Sequence, residues 1–155
     1  MRKIAVLMVV GFFLSSVVWA EKIAVVDLIK ISSQYNKAKQ YREYLKKRKS
    51  AIDKEIEQKY KEIEKLKENT SLLDDKKKKE IDERLKKLDD YGREQYYKLQ
   101  EESQQKSKEV REDILSSIQN YARRHKIDIV ISKGAVVYSK EMLDITDEVL
   151  KDLNK

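Results

Sequence analysis

The chain has 155 residues, 41% of them charged, with 35 Lys and Arg against 28 Asp and Glu. It contains no Cys, no Pro, one His and three Gly. These counts exclude a disulfide framework and a thiolate metal site, and they leave His125 as the one imidazole for nucleophilic catalysis. Long helices are permitted because no Pro interrupts them. The composition favours a helical binding or scaffolding protein over an enzyme.

The N-terminal 20 residues have the three parts of a secretory signal peptide. A basic Met1-Arg2-Lys3 is followed by an uncharged apolar run, which ends in Val18-Trp19-Ala20 before Glu21. This pattern predicts cleavage after Ala20 and export out of the cytoplasm. An uncleaved anchor helix is the alternative, because 17 uncharged residues lie at the short limit for crossing a bilayer. Cleavage would lower the formal net charge from +7 to +5.

A short strand and a long charged arm follow in chain order. Residues 22–27 (KIAVVD) contain four consecutive apolar residues and predict a buried strand, after which Ser32 and Ser33 are candidate N-caps. Residues 34–121 carry apolar side chains at mostly heptad spacing, which predicts coiled-coil helices. The run Asn69-Thr70-Ser71 competes with helix, and Ser71 with Asp74 resembles a weak capping box. We therefore predict two antiparallel helices joined near residues 69–74.

The apolar residues of the two predicted helices match across this turn. Four pairs have nearly constant summed positions: Ile63 with Ile81, Ile56 with Leu85, Ile52 with Leu88, and Leu45 with Leu99. Residues 100–109 contain no apolar side chain, so there the helices should separate or face water or another subunit. A continuous coiled coil with one poor stretch is the alternative.

The last part of the chain returns to strand-like patterns. Residues 127–132 (IDIVIS) and 135–138 (AVVY) flank Lys133-Gly134, which predicts a β-hairpin with Gly134 at positive φ. Asp144 is placed to cap a short final helix. The strands at the two ends should form one body of residues 21–33 and 122–155. A body of only 47 residues without disulfides is marginal alone, so we expect self-association. The expected core of the body and oligomer comprises Ile23, Val25, Val26, Ile127, Ile129, Val130, Ile131, Val136 and Val137.

Both ends of the chain resemble the Skp/OmpH family of periplasmic chaperones. The similarity lies in residues 22–27 followed by a charged hairpin, and in residues 128–138 followed by Asp144-Ile145-Thr146 and Val149-Leu150. It covers essentially all of residues 21–155, and its motifs are specific at the ends but not in the arm.

The resemblance implies an α+β fold, with a small β-strand body that is a β-barrel in a homotrimer and a long antiparallel helical hairpin arm. It also implies a cavity between arms that holds unfolded outer-membrane proteins without ATP or cofactor.

The positive charge is concentrated in the first half of the predicted arm. Residues 37–61 hold ten cations and four anions, around the cluster Lys46, Lys47, Arg48 and Lys49. Several such segments around one cavity could attract anionic clients or lipopolysaccharide phosphates, although net charge also serves solubility. Nucleic acid is not expected, because export removes it from reach and no groove-reading motif is present. The run at residues 76–79 is offset by nearby carboxylates, which indicates a solvated helix face.

Tyrosines are the second group of candidate client contacts, because each combines an apolar ring with a polar hydroxyl. Packing between the helices is the alternative role; it is favoured for Tyr41 by its heptad position. Gly92 lies within a predicted helix, where it is either a flexible point or a tolerated defect. The candidate client-binding tyrosines are Tyr44, Tyr60, Tyr91, Tyr96 and Tyr97.

Three functions are consistent with the sequence. The leading hypothesis is an ATP-independent holdase for unfolded outer-membrane and envelope proteins. The alternatives are a structural coiled-coil adaptor of the envelope and a protein that binds lipopolysaccharide or a membrane surface through residues 46–49. No catalytic, cofactor or metal site is predicted, since no acid–base pair can be singled out among helical carboxylates that are matched by lysines.

Overall fold

The computed structural model describes residues 21–68 and 75–155. The chain begins with strand β1 (Ile23–Val26), followed by helices α1 (Leu28–Gln34), α2 (Asn36–Glu68) and α3 (Asp75–Arg124). Strand β2 (Ile129–Ser132), a 3-10 turn (Lys133–Ala135), strand β3 (Leu143–Asp144) and helix α4 (Thr146–Leu153) complete it. The predicted signal peptide and the predicted turn at residues 69–74 lie outside the described residues.

The predicted fold class is confirmed: a small sheet carries a long helical hairpin. The arm is formed by α2, of 33 residues, and α3, of 50 residues. At 1.5 Å per residue these helices are about 50 and 75 Å long. The apolar residues of the arm follow heptad spacing and pack along one seam, and the opposite faces are charged. Exposed ion pairs four residues apart within a helix, such as Lys61 with Glu57, lie along the arm.

Helix begins earlier than predicted, before the arm itself. Asp27, rather than Ser32 or Ser33, is the N-cap of the short helix α1, and its carboxylate accepts a hydrogen bond from the Lys30 backbone N–H at 2.8 Å. Ser33 instead lies inside α1, where its hydroxyl donates to the Lys30 carbonyl. The backbone at Tyr35 is extended and separates α1 from α2. The first turn of helix is therefore part of the body.

The seam of the arm contains a second difference, in register. Ile56 was expected opposite Leu85, yet a Cβ on Gly92 would lie 3.3 Å from the Ile56 Cδ1, seven residues further along α3. Seven residues is one heptad, so position 92 lies on the same face of α3 as Leu85. Near the tip, Ile63, Ile81 and Leu88 form a buried cluster with the half-buried Ile56 and Leu85.

The sheet is parallel, and its strand order is β2-β1-β3. Ile23 pairs with Ile129 and Val26 with Ser132, whereas Val25 pairs with Asp144 on the other side. The N-terminal strand therefore lies at the centre, between two strands from the C-terminal part of the chain. Both neighbours are parallel to it, so the connection from β2 to β3 crosses the sheet.

The predicted hairpin between residues 127–132 and 135–138 is wrong for the single chain. Lys133–Ala135 is a 3-10 turn, closed by the Val136 N–H donating to the Lys133 carbonyl. Gly134 does not have the positive φ that a two-residue hairpin turn requires. Instead of folding back on β2, the chain crosses to form β3, and residues 135–138 pair with no strand among the described residues.

One face of the sheet packs on helices and forms the main core. Its largest fully buried side chains are Ile31, Ile145 and Val149, which come from α1 and from the start of α4. Alternation along the strands places Ala24, Val26 and Val130 on this face. The core continues into the base of the arm through Tyr35, Ala38, Ile114 and Ile118.

The ends of α3 and α4 have recognisable caps. Lys126 has φ of 52° and follows α3, with the Ile127 N–H donating to the Ala122 carbonyl, as in a Schellman motif. At α4 the N-cap position is held by Ile145, one residue after the predicted Asp144. The Asp144 carboxylate still accepts hydrogen bonds from the first turn, from the Thr146 N–H at 3.0 Å and the Thr146 hydroxyl. These bonds, with Lys133, lower the pKa of Asp144 from 3.8 to about 2.

Candidate functional site

The cationic cluster at residues 46–49 is exposed on α2, in the half of the arm nearest the body. Consecutive helical residues point about 100° apart, so the four cations face different directions. Lys46 and Lys49 line a cavity between α2 and α3, together with Tyr96 and Leu99. Lys47 and Arg48 do not line it. The structure thus divides the predicted cluster into two parts.

The tyrosines of the arm form a ladder of hydrogen bonds between the two helices. Their hydroxyls donate to carboxylates across the arm, and five pairs are involved. They are Tyr35 with Asp113 at 3.0 Å, Tyr41 with Glu109 at 2.6 Å, Tyr60 with Asp89, Tyr91 with Glu55 at 2.7 Å, and Tyr96 with Asp53 at 2.5 Å.

The hydrogen bonds of this ladder shift the pKa values of the side chains that form it. A hydrogen bond to Glu102 raises the pKa of Tyr44, and bonds to carboxylates likewise raise the pKa of Tyr41 and Tyr96. Conversely, hydrogen bonds from Tyr96 and Lys49 lower the pKa of Asp53. At neutral pH Tyr41, Tyr44 and Tyr96 are therefore protonated donors, and Asp53 is an ionised acceptor.

The rings of the same tyrosines remain accessible. Tyr44, Tyr60 and Tyr96 are each about 40% exposed although their hydroxyls are bound to carboxylates. Tyr97 is 62% exposed, and its pKa is raised by a hydrogen bond to Glu101 of its own helix. Tyr44, Tyr60 and Tyr96 therefore join the two helices through their hydroxyls, while their rings stay partly exposed to solvent.

A second cavity lies between the helices at the base of the arm. It has a volume of about 460 Å³ and an apolar floor that includes Leu45, Val110, Ile114 and Leu115. The cavity that holds Lys46 and Tyr96 has a volume of about 470 Å³ and shares Leu45 with it. Sequence reasoning did not identify these cavities, because they depend on the register of α2 against α3.

Lys106 connects the helices where the apolar seam is interrupted. Its ammonium lies 4.3 Å from the ring centroid of Tyr41 and 5.0 Å from that of Tyr44. Residues 100–109 were predicted to separate or to face water or another subunit. Instead, cation–π contacts and the Tyr41–Glu109 bond join the helices there, beside open cavities. The lack of apolar residues in 100–109 indicated that the contact between the helices changes there, but it did not identify Lys106 as the residue that joins them.

The predicted body residues fall into two sets. Val26 and Ile127 belong to the main core, and Val130 packs at its edge. Val25 is also buried, although alternation places it on the other face of the sheet. Alternation places Ile23, Ile129 and Ile131 on the other face of the sheet, where they are half-buried or exposed. Val136 is half-buried and Val137 is fully exposed, so neither belongs to the core of one chain. Their part in an oligomer core stays a prediction.

Within residues 21–68 and 75–155, no group of three His, Asp or Glu side chains is arranged to hold a metal ion. No helix within them is both long and apolar enough to cross a bilayer. His125 stacks on Tyr121 with centroids 4.1 Å apart, which is a packing contact at the end of α3.

Comparison with known proteins places the chain in a family. No curated protein is significantly similar to it. A crystal structure of a protein from Caulobacter crescentus CB15, named as an OmpH-like outer membrane chaperone, matches with a TM-score of 0.65 and 14% identity. The match covers 87% of this chain and 85% of the other, and it shows a shared fold. The family model described as outer membrane protein (OmpH-like) matches residues 22–153. The chain therefore belongs to the OmpH-like family.

Proposed function

We propose that this protein is an ATP-independent periplasmic holdase that keeps unfolded outer-membrane proteins from aggregating. The observation that carries the proposal is membership of the OmpH-like family over residues 22–153. The shared fold with a protein named as an outer membrane chaperone supports it. In this proposal residues 1–20 direct export and are removed, which N-terminal sequencing of the periplasmic protein would test.

The chemistry of the arm suits a surface that holds chains weakly. Exposed tyrosine rings, such as those of Tyr44 and Tyr97, give apolar contacts without deep pockets. Many weak contacts allow a client to be released without an energy source. Exposed cations at residues 46–49 add long-range attraction for anionic segments.

We infer further that the body assembles into a homotrimer, as the family resemblance implies. The partly exposed second face of the sheet, with Ile129 at 41% exposure, supports self-association, and so does the fully exposed Val137. Burying this surface would stabilise a body that is small for an independent domain. Sedimentation equilibrium of residues 21–155 tests this, and a monomer at micromolar concentration would refute it.

The holdase activity is tested by diluting a urea-denatured β-barrel protein into buffer with residues 21–155 and no ATP. We expect light scattering to be suppressed at a small molar excess of trimer. Substituting residues 46–49 with Gln should weaken the suppression of aggregation and reduce its salt sensitivity. The matched control substitutes the four lysines at 76–79 with Gln, which removes the same charge from another part of the arm. No suppression by the native chain at severalfold excess would refute the holdase proposal.

A second candidate function is binding of lipopolysaccharide or an anionic membrane surface. The exposed cations of residues 46–49 favour it, since phosphates prefer such clusters. Co-sedimentation with anionic vesicles tests it. Binding that the Gln variant of residues 46–49 abolishes, without any loss of aggregation suppression, would assign the cluster to lipid rather than to clients. A purely structural coiled-coil adaptor is the remaining alternative, and it predicts neither activity.

A further inference from the structure

The two cavities at the base of the arm form one continuous strip between α2 and α3. They share Leu45, and their α3 residues follow one another from Tyr96 to Ser103 and from Lys106 to Leu115. From Tyr96 to Leu115 the strip is about 28 Å long at 1.5 Å per residue. Its floor is aliphatic towards both ends, with Leu99 in one cavity and Val110 and Ile114 in the other.

The charges on the strip have one sign. Among the described residues that line the two cavities, five are cations and none is a carboxylate. This is unusual for a chain with 28 acidic residues, most of them on these same helices. The cations come from both helices: Arg42, Lys46, Lys49, Lys106 and Arg111.

Among the described residues, only one of these five cations, Lys49, has a carboxylate counterion. Lys49 pairs with Asp53, Arg42 donates to backbone carbonyls, and Lys106 lies over tyrosine rings. Within the part of the chain that the structure describes, neither Lys46 nor Arg111 forms an ion pair with a carboxylate. They lie near opposite ends of the strip, on different helices. An anionic partner would therefore gain its charge contacts chiefly at these two positions.

We propose that the strip binds an extended polypeptide segment in which aliphatic and acidic side chains alternate. This rests on the holdase role proposed above and names the client feature that the arm selects. A strand rises about 3.3 Å per residue, so roughly eight residues would span the strip. Alternation directs aliphatic side chains to the floor and carboxylates to the cationic rim. A phosphate headgroup would require cations that converge on one point, and these are spread along the groove.

The test uses residues 21–155 and three fluorescent eight-residue peptides with blocked ends. One alternates Leu with Asp, the second Leu with Lys, and the third Ser with Asp. Fluorescence anisotropy at about 50 mM salt limits screening of the rim charges. We expect the Leu–Asp peptide to bind at least fivefold more tightly than either of the others. Equal binding of all three would overturn the proposal.

Two double variants with equal charge loss locate the binding. K46Q/R111Q removes the two unpaired rim cations, and K47Q/K54Q removes two exposed cations that line neither cavity. We expect the first to weaken Leu–Asp binding about fivefold, because it loses two modest charge contacts, and the second to change it less than twofold. Equal effects of the two variants would overturn the assignment to the strip. Displacement of the peptide by phosphatidylglycerol vesicles more readily than by unlabelled peptide would identify a lipid occupant and also overturn it.

The aggregation assay separates this inference from the holdase role. If K46Q/R111Q binds the peptide and suppresses aggregation as the native chain does, the strip proposal fails and the holdase proposal stands. If the native chain binds the peptide through Lys46 and Arg111 but suppresses no aggregation, the strip stands and the holdase proposal fails.

Discussion

Gly92 is buried in the middle of α3, where a Cβ would lie 3.3 Å from the Ile56 Cδ1. Replacing an interior helical Gly with Ala stabilises the helix by about 0.8–1 kcal/mol. The new methyl must displace the end of the Ile56 side chain by a few tenths of an ångström, which offsets part of this gain. Since Ile56 is only half-buried, it can move. We expect G92A to stabilise the fold by about 0.5 kcal/mol.

A double-mutant cycle tests the cause of this value. I56V removes the contacting methyl and costs about 1 kcal/mol on its own. In that background G92A should give its full gain of about 1 kcal/mol, so the two substitutions should be coupled. G92L cannot be accommodated by such a small shift and should destabilise by about 1–3 kcal/mol.

The assay is urea unfolding followed by helical circular dichroism, at one fixed protein concentration, because self-association shifts the apparent stability. If G92A destabilises by the same amount with Ile or Val at position 56, its effect does not arise from contact with the Ile56 side chain. If G92A is stabilising but impairs aggregation suppression, the glycine instead acts as the flexible point of the arm.

Three further predictions concern the caps and the ladder. K126G should stabilise by about 0.5–1 kcal/mol in thermal unfolding, since φ is positive there, whereas R123G in the last turn of α3 should destabilise by about 1 kcal/mol; the same sign for both would contradict the cap assignment. Y35F removes one of the two donors to Asp113, so stability should fall by about 1 kcal/mol and the lowered pKa of Asp113 should rise in a carboxyl NMR titration. Because the pKa of folded Asp144 lies near 2, its contribution is present above its ordinary value of 3.8 and is lost as pH falls towards 2, so D144N should flatten stability over that window.

Helix periodicity predicted the arm, but it could not determine the register. A heptad step keeps positions 85 and 92 on the same face of α3, so periodicity alone allowed Ile56 to face Leu85 as readily as Gly92, which it is observed to approach. Polar pairs, such as Tyr91 with Glu55, distinguish the two registers, and an alignment of apolar positions does not include them. Tyr41 packs between the helices as its heptad position indicated, through a carboxylate and Lys106 as well as its ring.

The sequence predicted which residues form β1 and β2 of the body, but it did not predict which strands pair. Residues 23–26 and 129–132 are strands, as their β-branched runs indicated. The step from Lys133 to Gly134 suggested a local hairpin, yet β2 pairs with a strand more than 100 residues away. Local patterns do not encode such a partner. The short strand β3 has only two residues, too few for any periodic signal.

Charge counts found part of the candidate site. The excess in residues 37–61 led to Lys46 and Lys49, which do line a cavity. Arg111 lies in a segment of α3 with nearly balanced charge, so composition gave no reason to single it out. Its place on the strip follows from the interhelical register, which the sequence alone did not determine.

The central position of β1 has a consequence for the order of folding. Its neighbours β2 and β3 are the last strands of the chain. During synthesis, β1 therefore cannot pair until almost every residue has been made. Closing an unstructured connection of about 100 residues would cost about 4 kcal/mol in chain entropy. The arm removes most of that cost, since pairing of α2 with α3 begins with local contacts and carries Tyr35 and Asp113 together. Pairing of α2 with α3 thus brings the two ends of the chain together, and the sheet forms last.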